Sequence, residues 1–208
     1  MMSYLVTGGL GSLGSSLITH LHDSSPHKIT VLDNLRGRTD ILQVYGHSDG
    51  EESVPLTPIS WRGAALMSAE AMLHSYVVSY HLPLAVVRLS YGLINDSLDR
   101  RLESCGSSVN LITMEDAVRG IMAAVERAEK AEVWNIGGPQ DYVTEELRQF
   151  VNGKNVTLAP VSTKLSTEKA SRELGFRAQG DIMAIMKATD TSSFLCTHFY
   201  VANDLGVV

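Results

Sequence analysis

Thr7-Gly8-Gly9-Leu10-Gly11-Ser12-Leu13-Gly14 is the stretch of this sequence whose residue types and spacing can do chemistry. It follows an apolar run, Tyr4-Leu5-Val6, that reads as a short buried strand. It precedes Leu13, Leu17, Ile18 and Leu21 at helical spacing, which predicts a helix over about 12–22. In that setting each glycine has a use. Gly8 allows the tight turn, Gly11 lets backbone approach a pyrophosphate with no Cβ in the way, and Gly14 lets the helix pack against the strand. The helix N-terminus offers free N–H groups and partial positive charge to phosphates. Ser24-Ser25-Pro26 breaks the helix, and Ile29-Thr30-Val31-Leu32 forms a second strand that ends at Asp33. A carboxylate there accepts hydrogen bonds from the adenosine ribose hydroxyls and repels a 2′-phosphate. Thr7, Gly8, Gly9, Leu10, Gly11, Ser12, Leu13 and Gly14, with Asp33 and Asn34, are therefore the expected contacts of a dinucleotide. NAD is favoured over NADP, a preference that Arg36 and Arg38 just beyond soften.

The elements that must position this site alternate along the chain. The spacing predicts helices over about 63–80, 115–130, 144–150 and 166–174, the third capped by Thr144 and the fourth by Ser166 and stopped by Gly175. Strands are expected at Leu84–Val87, Val133–Ile136 and Val156–Leu158. Residues 95–110 read as irregular, and Val118, Ile121, Met122 and Val125 as the inward face of their helix. Ile41–Tyr45 reads as a strand; alternatively Leu42–Asp49 is a third strand that brings Asp49 near an adenine. Strand and helix in alternation argue for an α/β fold with a mostly parallel sheet.

Composition bounds the rest. The chain has 208 residues, a formal net charge of −6, 44% hydrophobic and 19% charged residues, which describes a globular protein and argues against nucleic-acid or anionic-membrane partners. Cys105 and Cys196 are far apart without metal-type spacing, and the seven histidines form no ligand pattern, so no metal site is expected. No stretch reaches the roughly 18 apolar residues of a membrane span, and no signal-peptide pattern opens the chain, so a cytoplasmic location is expected. Glu115 and Asp116 read as the charged start of a helix, Trp61 and Trp134 as packing residues, and Met67 and Met72 as core. Tyr76 and Tyr80, one turn apart, lack a lysine four residues on, so packing is favoured over an acid–base role. Tyr45 and Tyr91 are modest candidates for a substrate contact.

The chain resembles the extended short-chain dehydrogenase/reductase family, specifically its NAD-dependent epimerase/dehydratase type that acts on nucleotide sugars. The likeness begins at Thr7–Gly14 and Val31-Leu32-Asp33-Asn34-Leu35. It continues at Val44-Tyr45-Gly46, Pro55–Glu70, Val87-Arg88-Leu89, Tyr91-Gly92, Asn110–Val118, Val133–Gly138 and Lys169–Phe176. The resemblance implies a Rossmann-like, doubly wound sheet holding NAD, a nucleotide-sugar ligand, and pairing of copies through the helix around Ala64–Tyr80. It also implies chemistry by a Ser or Thr, a Tyr and a Lys.

The departures from that pattern decide the functional expectation. The matching positions read Ile41, Arg62 and Leu66. Leu66 has no titratable group, and an arginine stays protonated and is a poor base. The chain is also shorter between Asp33 and Val44 and between Gly92 and Asn110, where the family places further strands and its sugar pocket. The fold is thus expected to be a truncated relative, with an NAD-binding domain over 1–188, including a reduced substrate lobe, and a tail over 189–208. An NAD-binding protein with lost or altered catalysis is the leading expectation, as a structural or regulatory subunit of a larger complex. An active enzyme with other acid–base groups, and an interaction module with a vestigial cofactor site, are the alternatives. A sheet missing interior strands must close up or take an edge from another chain.

Overall fold

Short β-branched runs separated by apolar-periodic segments fold here into strands and helices in the expected α/β alternation. A computed structural model describes residues 3–7, 12–24, 28–32, 50–57, 61–81, 84–92, 107–128, 132–163 and 165–188. In chain order the elements are β1 (Ser3–Thr7), α1 (Ser12–Ser24), β2 (Lys28–Leu32), α2 (Trp61–Tyr80), β3 (Ala85–Leu89), β4 (Tyr91–Gly92) and β5 (Ser108–Ile112). There follow α3 (Met114–Glu126), β6 (Glu132–Ile136), β7 (Asp141–Val143), α4 (Thr144–Val151), β8 (Pro160–Val161), α5 (Glu168–Leu174) and α6 (Ile182–Ala188).

The expected single sheet is divided, among the described residues, into three sheets. β1 runs parallel to β2, β3 parallel to β6, and a four-stranded sheet has the order β4-β5-β7-β8. In that sheet β4 and β5 are parallel and the other two pairings antiparallel. Side chains join what backbone hydrogen bonds do not. α1 lies against α3, and Leu13 packs on the cluster of Leu89, Ile112, Ala117, Ala124, Trp134 and Ile136. α3 and α5 cover one face of β3 and β6, and α2 takes the other, the doubly wound arrangement. The close approach of α3 needs Gly120, where a Cβ would come within 2.5 Å of Ile136 Cγ2.

Several boundaries differ from expectation. α3 ends at Glu126 and turns Ala117, Val118, Gly120 and Ala124 inward, leaving Val125 exposed, because small residues let the helix sit close to the strands. Thr144 is the first residue of α4 rather than its cap, a position Val143 holds, and Thr167 rather than Ser166 precedes α5. Gly175 ends α5 in the left-handed conformation at φ 66°, as expected. Residues 156–158 are not a strand, whereas Ser108–Ile112 is one. Val109 and Leu111 are buried there in the alternation of a half-buried strand. Met72 is 61% exposed instead of core, because the apolar residues of α2 are not gathered on one side of the helix. Tyr45 and both cysteines lie outside the described residues.

The outer edge of β6 is closed by charge. The Ser90 amide donates to the Ile136 carbonyl at 2.8 Å, so Glu132, Trp134 and Ile136 turn their backbone groups toward β3 and Val133 and Asn135 turn theirs outward. The outward Asn135 N–H donates to Glu52 Oε1 at 2.7 Å, and Lys169 Nζ donates to the Val133 carbonyl at 2.8 Å. Glu132 holds Lys169 there at 3.0 Å, and its ammonium sits 5.4 Å from the Trp134 ring centroid. An added strand would need the same two backbone groups. Replacing both Glu52 and Lys169 with alanine is expected to produce larger species than the parent at equal concentration in sedimentation velocity. Unchanged sedimentation with unchanged helix content would contradict this account of the edge.

Candidate functional site

Of the dinucleotide residues predicted from the sequence, Thr7, Ser12, Leu13 and Gly14 lie among the described residues, at the end of β1 and the start of α1. Register pairs Thr7 with Leu32, so both strands stop at the same level. α1 opens at Ser12, five residues past Thr7, and has no acidic residue in its first turn, so no carboxylate of that turn offsets the partial positive charge of its N-terminus. Leu13 and Gly14 lie in that first turn, half-buried. Gly8, Gly9, Leu10, Gly11, Asp33 and Asn34 lie outside the described residues.

A second cluster gathers where β3 and β6 end. Gly138 passes so close to β5 that a Cβ would lie 1.9 Å from the Leu111 carbonyl oxygen, and one on Gly137 would lie 2.5 Å from Leu165 Cδ2. Asn110 ties this turn. Its Oδ1 accepts from the Gly138 amide at 2.7 Å, and its Nδ2 faces the Gly138 carbonyl at 3.0 Å, Asp141 Oδ1 at 2.9 Å and Thr163 Oγ1 at 3.0 Å. The cluster is a positioning device, holding the end of β6 against the four-stranded sheet.

The positions that resemble the family's catalytic residues are described only in part. Ile41 lies outside the described residues. Arg62 and Leu66 are one turn apart on α2, the spacing of a Tyr–Lys pair, but Leu66 carries no proton. Tyr76 and Tyr80 stack on each other at 5.6 Å between ring centroids, 49% and 66% exposed on α2. Among the described residues no group of three or more histidine, cysteine, aspartate or glutamate side chains can hold a metal ion.

The charged groups with shifted ionisation act as anchors. A general acid needs a carboxyl pushed up, and these go down. Glu145 is lowered by hydrogen bonds from Gln149 and Arg148. Glu173 is lowered chiefly by Arg172, with Trp134 Nε1 donating to it at 3.0 Å. Burial is the largest single influence on Asp116 and pushes its carboxyl up, but Arg119 and the Gly180 and Gln179 amides, at 2.7 and 3.0 Å, outweigh it and hold the group below its ordinary value. Asp116 thus fulfils its expected place at the start of α3, where its amide also donates to the capping Thr113 Oγ1 at 3.1 Å. Its clamp on residues 179–180 went unread in the sequence. So did the pairing of Arg88 with Glu70, for which a charge inside the apolar run Val86-Val87-Arg88-Leu89 is the signal.

No protein-family model matches the chain, and no curated protein matches its sequence. Solved structures match its fold. A dTDP-glucose 4,6-dehydratase from Bacillus anthracis in complex with NAD aligns at TM-score 0.72 and 17% identity over 93% of this chain and 96% of that one. A UDP-glucose 4-epimerase from Thermus thermophilus, also in complex with NAD, aligns at TM-score 0.69 and 17% identity, covering 93% and 99%. A UDP-N-acetylglucosamine 4-epimerase from Bacillus cereus aligns at TM-score 0.68 and 12% identity, covering 90% and 97%. At these identities the likeness shows the fold: α/β and Rossmann-like, in a truncated form of 208 residues.

The Asp116 clamp makes a pH-dependent prediction. A carboxyl lowered in the folded state adds stability that is present above its unfolded value, near 3.8, and is lost as pH falls through the lower folded value. Asp116→Asn is expected to cost about 1.5–3 kcal/mol at neutral pH, and the deficit should shrink as the parent's carboxyl protonates. Urea unfolding at neutral and acid pH reads both; a deficit equal at both would contradict the ionic clamp.

Proposed function

We propose that this chain is an NAD-binding protein on a nucleotide-sugar epimerase/dehydratase-like fold, its catalysis lost or altered, acting as a structural or regulatory subunit. The observation that carries the reading is the β1–α1–β2 unit. A glycine-rich sequence, residues 8–11, lies between the end of β1 and a helix start with no acid in its first turn, and β2 ends level with β1, immediately before Asp33 in sequence. Thr7, Ser12 and Leu13, with Gly8–Gly11 and Gly14, would hold the pyrophosphate, and Asp33 with Asn34 the adenosine ribose. NAD, when bound, supplies a nicotinamide able to take up hydride. The residues of the proton-transfer positions, Ile41, Arg62 and Leu66, supply no matching base, which supports the loss or alteration of catalysis.

A cytoplasmic location, a nucleotide-sugar ligand and pairing of two copies through α2 belong to the same reading. No helix among the described residues is long and apolar enough to cross a membrane. The small residues Ala64, Ala65, Ser68 and Ala69 permit close helix contact, and Met72, Leu73 and Val78 are exposed farther along α2. Residues 1–188 form the NAD-binding domain and 189–208 its tail in this reading.

Calorimetric titration of the cofactor-stripped protein with NAD is expected to show one saturable site per chain, and Gly11→Val to abolish it, because a branched side chain fills the pyrophosphate position. Full affinity in that variant would contradict the placement of the site. A panel of sugar nucleotides is expected to produce no transient reduced-nicotinamide absorbance. Turnover would replace this reading with that of an active enzyme using other acid–base groups.

A further inference from the structure

α2 stands away from the strands it covers, whereas α3 lies directly on β3 and β6. The space under α2 is a cleft of about 320 Å³, open to solvent on one side where Ala71 and His74 are exposed. Leu84, Val86 and Val133 form its floor, on one sheet face, because Val86 and Val133 are register partners in the parallel β3–β6 pair. Met67, Ala71 and His74 form the wall, one stripe of α2 at helical spacing. Leu56 closes a third side. The cleft lies by the N-terminal halves of β3 and β6, away from Ser90 and Gly137 at their C-terminal ends, where ligands of open α/β sheets bind.

We propose that this cleft is a binding site for an uncharged, apolar small molecule about the size of two fused aromatic rings, carrying at most one hydrogen-bonding group. The size follows from volume: an apolar cavity of about 150 Å³ takes up benzene, and this cleft is roughly twice as large. The lack of charge follows from the walls. Among the described residues Glu70 is the single carboxylate in the lining, and both of its oxygens serve Arg88, at 2.6 and 3.2 Å. Neither partner is left to meet a charged ligand. The His74 imidazole has no hydrogen-bond partner among the described residues and supplies the one polar contact, to a hydroxyl or carbonyl. Such a guest covers apolar surface that the described chain leaves open, the usual driving force for occupying a site of this kind. The inference stands apart from NAD binding, since it uses none of the dinucleotide residues.

The test is titration of the full-length protein with 2-naphthol and with naphthalene, followed by fluorescence and by methyl-resolved NMR. Saturable binding of one 2-naphthol per chain is expected, with the largest shifts at the methyls of Val86 and Val133 and the same affinity when NAD is present in excess. Ala71→Trp fills the space and should weaken binding at least about tenfold. His74→Leu should bind naphthalene as the parent does and lose the preference for 2-naphthol. The NMR shifts in the parent locate the site even if the tryptophan variant does not fold. Absence of saturable binding, shifts centred on other methyls, displacement by NAD, or undiminished affinity in a folded Ala71→Trp protein would each overturn the proposal. Loss of NAD binding with 2-naphthol binding intact would count against the dinucleotide reading alone.

Discussion

A guanidinium buried in a β-strand is the constraint on which the α2 side of this protein depends. Arg88 is 7% exposed within β3, and a charge so placed must be satisfied from several directions. Its Nε and Nη2 fork onto Glu70, which fixes the rotation of α2, and its Nη1 donates to the Glu52 carbonyl at 3.2 Å, which fixes the turn at 50–57. The Glu52 side chain can then reach the Asn135 amide. Removing one partner of such a pair typically costs about 3–5 kcal/mol, because the other is left as a bare buried charge. The register of α2, the position of Arg62 and Leu66 within it and the cleft beneath it are all set by this bond.

Much of the fold was legible because its signals are local. Tyr4-Leu5-Val6, Ile29–Leu32 and Val133–Ile136 are apolar β runs, and Gly175 is a helix stop whose left-handed backbone favours glycine. β5 was not legible, since Ser108 and Asn110 make its sequence look polar; the polar residues serve a turn about thirty residues onward. β8 pairs only Pro160 and Val161, both exposed, and no propensity marks so short a contact. On α3, Val118 and Ile121 face inward as their spacing predicts, and only Val125 departs, for a related reason. Bulk predicted Val125 inside, but what α3 needs toward Ile136 is absence of bulk, at Gly120.

The site divides in the same way. The strand and helix that flank the glycine pattern could be read because their signals lie within one short stretch, Ser3–Thr7 and Ser12–Ser24. The anchors that shape the remainder pair residues far apart in sequence: Asp116 with Gly180, Glu52 with Asn135, Arg88 with Glu70. From sequence Asp116 is a helix-start acid and Arg88 a stray charge in a strand. Each acquires its meaning only when the partner segment arrives. That Arg62 and Leu66 share one helix was legible too, since the segment around them has strong helix formers.

The β1–β2 pair shares no backbone hydrogen bond with β3–β6 among the described residues and joins the rest through α1, by side-chain packing on α3 and at Leu13. Side-chain contacts can part without breaking backbone hydrogen bonds, so a joint of this kind lets the β1–β2 pair and the core around Trp134 and Ile136 open with different free energies. Amide hydrogens of β1 and β2 would then exchange as one group and those of β3 and β6 as another, slower one. A ligand held at the Thr7–Leu32 end slows the first group directly and reaches the second only through the α1–α3 contact, so occupancy of that end is felt as a change in cooperativity between two halves of the molecule.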